Sequence, residues 1–145
     1  MIRRTGLKRK SKTEFARAVS KLDTAFSFLI RSHYLPLREC MDGCGISIND
    51  IKQADCGHFR RRECMSTRFN PRNAVLQARK CNRFDGGRPY EMSLMIDKLW
   101  GKGTAQSLEK ESRKMKNWEI KELEQLCSAA KIGWLPYVQL YDELA

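Results

Sequence analysis

The sequence holds 145 residues, 41% hydrophobic and 31% charged, which suits one folded domain with a modest core and excludes a chain too polar to fold. Its longest apolar run, residues 25–30, falls far short of the roughly 18 residues of a membrane span, so no membrane partner is expected. The net charge of +11 points instead to an anionic partner.

Residues 1–12 carry six Lys/Arg and no acid, lack apolar periodicity and read as a flexible basic arm. No hydrophobic stretch or small-residue cleavage site follows, so the chain reads as cytoplasmic, without a signal peptide. In that reducing compartment the six cysteines are thiols or metal ligands rather than disulfides. A helix starts with Thr13 as N-cap and stops before Pro36, with Phe15, Val19, Leu22, Phe26 and Leu29 or Ile30 on its apolar face. Residues 38–83 hold five of the six cysteines and little clean periodicity. Within them residues 45–59 alternate loosely enough for short strands or a hairpin, and residues 70–77 read as a turn followed by an extended or helix-starting segment. Residues 60–83 also carry eight Lys/Arg against Glu63 alone, the footprint of a nucleic-acid partner.

The stretch FDGGRPY at 84–90 is a break. Helical patterns follow at 90–100, about 104–115 and 117–131, separated by Gly101 and Gly103 and closed by Gly133. The tail after Gly133 is apolar enough to pack back onto the rest. The fold class expected is α+β, with a helix, a cysteine-rich centre and then helices. Three parts are expected: the arm at 1–12, the first helix and central core at 13–90, and a helical region at 91–145 that shares that domain or mediates dimerisation. Leu94, Leu99, Leu108, Leu123 and Leu126 are that region's candidates for an interface or for plain core.

Cys40 and Cys44 enclose a glycine-rich knuckle, and Cys81 lies where a helix can begin. A knuckle and a helix start are a common way to give zinc four ligands, but the position three before Cys81 is Ala78. The fourth ligand would be Cys56, Cys64 or a residue that the sequence does not identify; alternatively, several of these cysteines are small buried hydrophobes. DCGHFRRRE, residues 55–63, places His58 between an acid and an arginine run. A neutral imidazole there can take a proton from water attacking a phosphodiester, and the arginine fork suits phosphate. Arg60, Arg61, Arg62 and Arg68 are the candidate phosphate contacts, or part of a solvated basic face. Asp55 is a candidate metal ligand, or the partner of a nearby arginine.

The knuckle Cys40 and Cys44, DCGHF at 55–59, TRFNPRN at 67–73 and QARKCNRFDGG at 77–87 with Tyr90 together resemble the NinG/Rap family of lambdoid phage recombination nucleases, within the HNH (ββα-metal) superfamily. The resemblance implies a treble-clef-like ββα-metal core flanked by the N-terminal and C-terminal helices. It also implies Mg²⁺ or Mn²⁺ at the reacting centre and cleavage of branched DNA such as Holliday junctions and D-loops. On this pattern His58 is the general base, Asn73 holds the loop and orients that base, and Asp55 with Asn82 binds the ion. Asp55 stands three residues before His58, where many HNH chains have the acid immediately before it and this one has Gly57, so a bulge is expected to bring both to one ion. Two symmetric cuts in a junction imply a homodimer. The chain would be phage or prophage encoded and act in a bacterial cytoplasm. Ala78 and the CxxxC knuckle depart from the family and weaken the structural Zn²⁺ more than the catalysis. The rival readings are a non-catalytic, zinc-ribbon-like DNA- or RNA-binding module and an HNH nickase of linear duplex.

Overall fold

The structure, a computed structural model, describes residues 12–145, so all of the basic arm except Lys12 lies outside the described residues. Helix α1 (Glu14–Tyr34) begins where Thr13 Oγ1 accepts from the Ala16 N–H at 3.1 Å, the expected cap. It ends in a 3₁₀ turn over Leu35–Leu37, because Pro36 cannot continue the hydrogen-bond ladder. Ala18, Leu22, Phe26, Leu29, Ile30 and Tyr34 form its buried stripe. Phe15 lies on the same face but in the first turn, ahead of the first buried residue, and stays 40% exposed.

Strands β1 (Ala54–His58) and β2 (Ala74–Ala78) pair antiparallel from Ala54↔Ala78 to His58↔Ala74 and make a two-stranded sheet. The short helix α2 (Arg79–Arg83) follows β2 without a connecting residue. Then come α3 (Pro89–Trp100), α4 (Thr104–Ser112), α5 (Ile120–Ile132) and α6 (Trp134–Leu144), so the apolar tail is itself a helix.

The long first helix serves as the packing platform. It lies against α5 and against both strands, while α6 packs on α5 and α3 on α4. Phe26 is 1% exposed and meets the rings of Phe69 and Tyr137 at 6.2 and 5.7 Å. The Tyr137 hydroxyl, fully enclosed, donates to the Phe69 carbonyl at 2.7 Å and so joins α6 to the loop ahead of β2. One buried cluster runs from Ala18 to Tyr141, so residues 91–145 share the core of residues 13–90. Leu108, Leu123 and Leu126 belong to it, whereas Leu94 and Leu99 are 56% and 40% exposed. Among the described residues no helix is long and apolar enough to cross a membrane.

A candidate metal centre beside a histidine cleft

Residues 38–48 fold back on themselves as a knuckle. The Cys40 N–H donates to the Ile46 carbonyl and the Ile48 N–H to the Arg38 carbonyl, each at 2.9 Å. Gly43 and Gly45, at φ 76° and 82°, make the reversal in a region that side chains other than glycine enter only under strain. The knuckle is laid on β2: the Met41 N–H donates to the Leu76 carbonyl at 2.9 Å and the Ala78 N–H to Cys40 Sγ at 3.1 Å. Ala78 therefore contributes a backbone donor at the position where the family resemblance implies a ligand.

That placement brings Cys40, Asp42, Cys44 and Cys81 together, with their ligand atoms all within 4.8 Å of one another. The Cys44 and Cys81 sulfurs are 3.4 Å apart, near the roughly 3.8 Å expected between two thiolates sharing a tetrahedral zinc at about 2.3 Å each. Asp42 is the residue the sequence reading missed, and it corrects the expectation of Cys56 or Cys64 as fourth ligand. Cys56 lies on β1 facing the neighbouring cleft, and Cys64 lies in the turn that follows the arginine run, its N–H on the Arg61 carbonyl. Asp42 is 2% exposed and held from three sides. Its Oδ1 accepts from the Cys44 N–H at 3.0 Å, its Oδ2 accepts from Gln77 Nε2 at 3.1 Å, and Arg88 Nε stands 3.5 Å from Oδ2.

Burial pushes the Cys40 thiol up to about 12 and Cys81 well up too. Burial acts the same way on Asp42, but hydrogen bonds from Cys44, Cys40, Gln77 and Cys81 outweigh it and hold the carboxylate low. Three sulfurs and one carboxylate are a donor set that suits Zn²⁺, so the cluster could hold such a metal. Fully ionised around a divalent cation they leave a formal charge of −2, and Arg88 offsets one unit of it. Among the described residues this is the one group of three or more Cys, His, Asp or Glu side chains with metal-binding geometry.

A cleft of about 410 Å³ runs along β1 between α1 and α2. Asp23, Ser27, Asp55, Cys56, His58, Arg62, Asn82 and Arg83 line it. His58 ends β1 with Nε2 at 3.1 Å from the Arg68 carbonyl. A carbonyl only accepts, so Nε2 carries the hydrogen and Nδ1 keeps its lone pair. Burial pulls His58 down to about 4, with the Arg62 and Arg68 charges assisting and the Arg68 carbonyl and Asp23 opposing. The imidazole is neutral near pH 7.

Asp55 and His58 reach the same cleft without the expected bulge, since the strands pair residue for residue and the cleft follows β1 along its length. Without a bulge, positions three apart leave opposite faces of the strand, so Asp55 and His58 enter the cleft from different sides. Asp55 does meet Asn82, whose Nδ2 donates to Oδ2 at 3.0 Å. It also meets Arg83, which donates through Nε at 2.8 Å and Nη2 at 2.9 Å, with Arg79 at 3.8 Å. Burial raises the Asp55 pKa, but the bonds from Arg83 and Asn82 win and hold it below the usual carboxylate value. The arginine-partner alternative for Asp55 thus describes this conformation. A Cβ on Gly57 would stand 2.3 Å from Gln77 Oε1, so no acid fits immediately before His58.

Asn73 is fully buried and outside the cleft lining. Its Oδ1 accepts from the Arg60 N–H at 2.8 Å, and its Nδ2 donates to the Arg60 and Thr67 carbonyls at 3.1 Å each. It closes the loop that carries the arginines. Of these, Arg62 lines the cleft and Arg61 is exposed, while Arg60 lies partly buried with its guanidinium 5.7 Å from the Phe59 ring. Arg68 is tied down, donating through Nε and Nη2 to the two Asp23 oxygens and through Nη1 to the Arg62 carbonyl. Asp23 therefore fixes the residue whose carbonyl fixes His58. The sequence gives no signal for it, because the two partners are separated by 45 positions. Compared with family models, curated proteins and solved structures, the chain gives no match.

Proposed function

We propose that the chain is a metal-dependent endonuclease that cuts branched DNA, such as Holliday junctions and D-loops, on an HNH-like core. The observation that carries this reading is His58, a neutral imidazole with Nε2–H tied to the Arg68 carbonyl and Nδ1 left as a proton acceptor, in a cleft that Arg62 and Arg83 also line. Nδ1 takes the proton of the attacking water, and the imidazolium that forms keeps its Nε2–H on the carbonyl. Arg62, exposed at the same cleft, offers a planar fork to a phosphate. Mg²⁺ or Mn²⁺ held by Asp55 and Asn82 would supply the electrophile on the phosphate oxygens. Arg83 gives up Asp55 for that and is then free to contact phosphate. Asn73 acts one step back, through the loop it closes. Zn²⁺ in the Cys40, Asp42, Cys44 and Cys81 cluster would be structural, fastening the knuckle to α2. The family resemblance adds a homodimer, a 3′-hydroxyl with a 5′-phosphate as products, and a phage or prophage gene acting in a bacterial cytoplasm.

One observation favours a second reading. Asp55 is already satisfied by Arg83 and Asn82, an arrangement that suits a nucleic-acid-binding module without an ion in the cleft. Cleavage of a labelled four-way junction and a matched linear duplex with Mg²⁺, Mn²⁺ or EDTA separates the two. The nuclease reading expects metal-dependent cutting of the junction by wild type, and binding without cutting by His58→Ala. Wild type that binds the junction and cuts neither substrate with either ion sinks it in favour of the binding module. Equal cutting of the linear duplex indicates the nickase.

A further inference from the structure

A second groove, of about 740 Å³, lies on the far flank of α1, between that helix and α5. Its lining carries Lys12, then Arg17, Lys21 and Arg31 from α1 and Lys131 from α5, and no acid. On this cationic surface Phe28 stands 60% exposed. A single exposed apolar residue means little, but an aromatic face ringed by cations is how proteins hold unpaired nucleic acid, with the backbone neutralised and a base stacked on the ring. We propose that this groove binds a single strand, with a base on Phe28 and phosphates on Arg17, Lys21 and Lys131.

The occupant follows from chemistry and place. A duplex hides its base faces in the stack, so an exposed ring favours an unpaired segment. A second copy of this face would oppose cation to cation. Glu14 and Glu124 border the groove beside Arg17 and Lys21 and bound the site at that end. Arg17 to Arg31 spans about 21 Å of helix, long enough to track several nucleotides. Ser27 faces the His58 cleft and Phe28 the groove, and Arg31 Nε donates to Ser27 Oγ at 3.2 Å across the ridge between them. A branch point seated at the cleft would therefore send its unpaired arm over α1 into the groove. The proposal rests on the nucleic-acid reading of the cleft, though not on cleavage.

The test is fluorescence anisotropy of a labelled oligothymidine and a labelled duplex of equal length, titrated with the full chain at fixed salt. Variants are Phe28→Ala, Phe28→Trp, Arg17→Ala with Lys131→Ala, and the remote control Lys114→Ala, with circular dichroism to verify folding. Phe28→Ala should weaken single-strand binding about five- to a hundred-fold and leave the duplex within about two-fold, while Phe28→Trp retains affinity. The paired cation variant should weaken the single strand and reduce the salt dependence. Unchanged single-strand affinity in Phe28→Ala overturns the proposal, as does an equal loss for both oligonucleotides. Displacement of oligothymidine by polyglutamate at equal charge also overturns it and points to an acidic protein segment. If the junction is never cut yet Phe28→Ala selectively loses the single strand, the groove stands and the nuclease reading falls. Cutting with Phe28→Ala unaffected in binding gives the reverse.

Discussion

Replacing Asn73 by alanine removes three side-chain hydrogen bonds from a site with no exposed surface. The Arg60 N–H and the Arg60 and Thr67 carbonyls then lose a partner where water has little access. At about 1 kcal/mol for each net hydrogen bond the loss is about 3 kcal/mol, and the desolvation of groups left unpaired raises it towards about 6 kcal/mol. For a chain of 145 residues the unfolding entropy is about 0.3 kcal/mol per degree, so the midpoint of thermal unfolding should fall by about 10 °C or more. Circular dichroism melts of wild type, Asn73→Ala and Asn73→Asp measure it. Asn73→Asp keeps the acceptor for the Arg60 N–H but sets a carboxylate against two carbonyls, so it should be no better than alanine. A fall below about 3 °C in the alanine variant, with native secondary structure, refutes the claim that this amide closes the arginine loop.

Three further outcomes are expected. The folded value of His58, about 4, lies below the ordinary 6.5, so the unfolded chain takes the proton first. Its contribution to stability is complete above pH 6.5 and is lost as pH falls towards 4, by up to about 3 kcal/mol. His33, also lowered by burial, acts in the same direction, so the measurement is the difference between wild type and His58→Gln in urea unfolding at pH 7.5, 5.5 and 4.5; parallel curves count against a buried neutral His58. Protein purified without chelators should carry about one zinc per chain by elemental analysis, and Cys81→Ser or Asp42→Ala should reduce it; absence of zinc with a melt indifferent to EDTA speaks against the cluster as a metal centre. Gly57→Ala forces Gln77 off Asp42 and the Gly87 carbonyl and should cost about 2 kcal/mol, read as a lower urea midpoint.

The elements with strong local signals were legible. Thr13 and Pro36 bracket α1, and Gly101, Gly103 and Gly133 punctuate the later helices, because caps and breakers act within a few residues. The last helix read only as an apolar tail. Its Pro136 looks like a breaker, yet it falls in the first turn, where its missing N–H has no partner to lose. The pairing of β1 with β2 across residues 59–73 was legible only loosely, since register over a long connection is set by tertiary packing. In the site, Cys40, Cys44 and Cys81 stood out by spacing, whereas an acid inside the knuckle carries no such spacing signal and only the burial of Asp42 beside three sulfurs reveals it. Asp23 and Arg68 meet through a helix and a loop that nothing local relates.

Helix α2 links the two centres. Cys81 and Asn82 are consecutive, one turned to the sulfur cluster and the other to the His58 cleft. A helix of five residues has no stability of its own, because isolated helices need about a dozen residues or more to persist in water. Whatever loosens the cluster, whether loss of a bound metal or oxidation of its thiols, therefore releases Asn82 and Arg83 from Asp55 and reshapes the cleft with His58 untouched. The shape of the cleft would then follow the redox state and metal supply of the chain's surroundings.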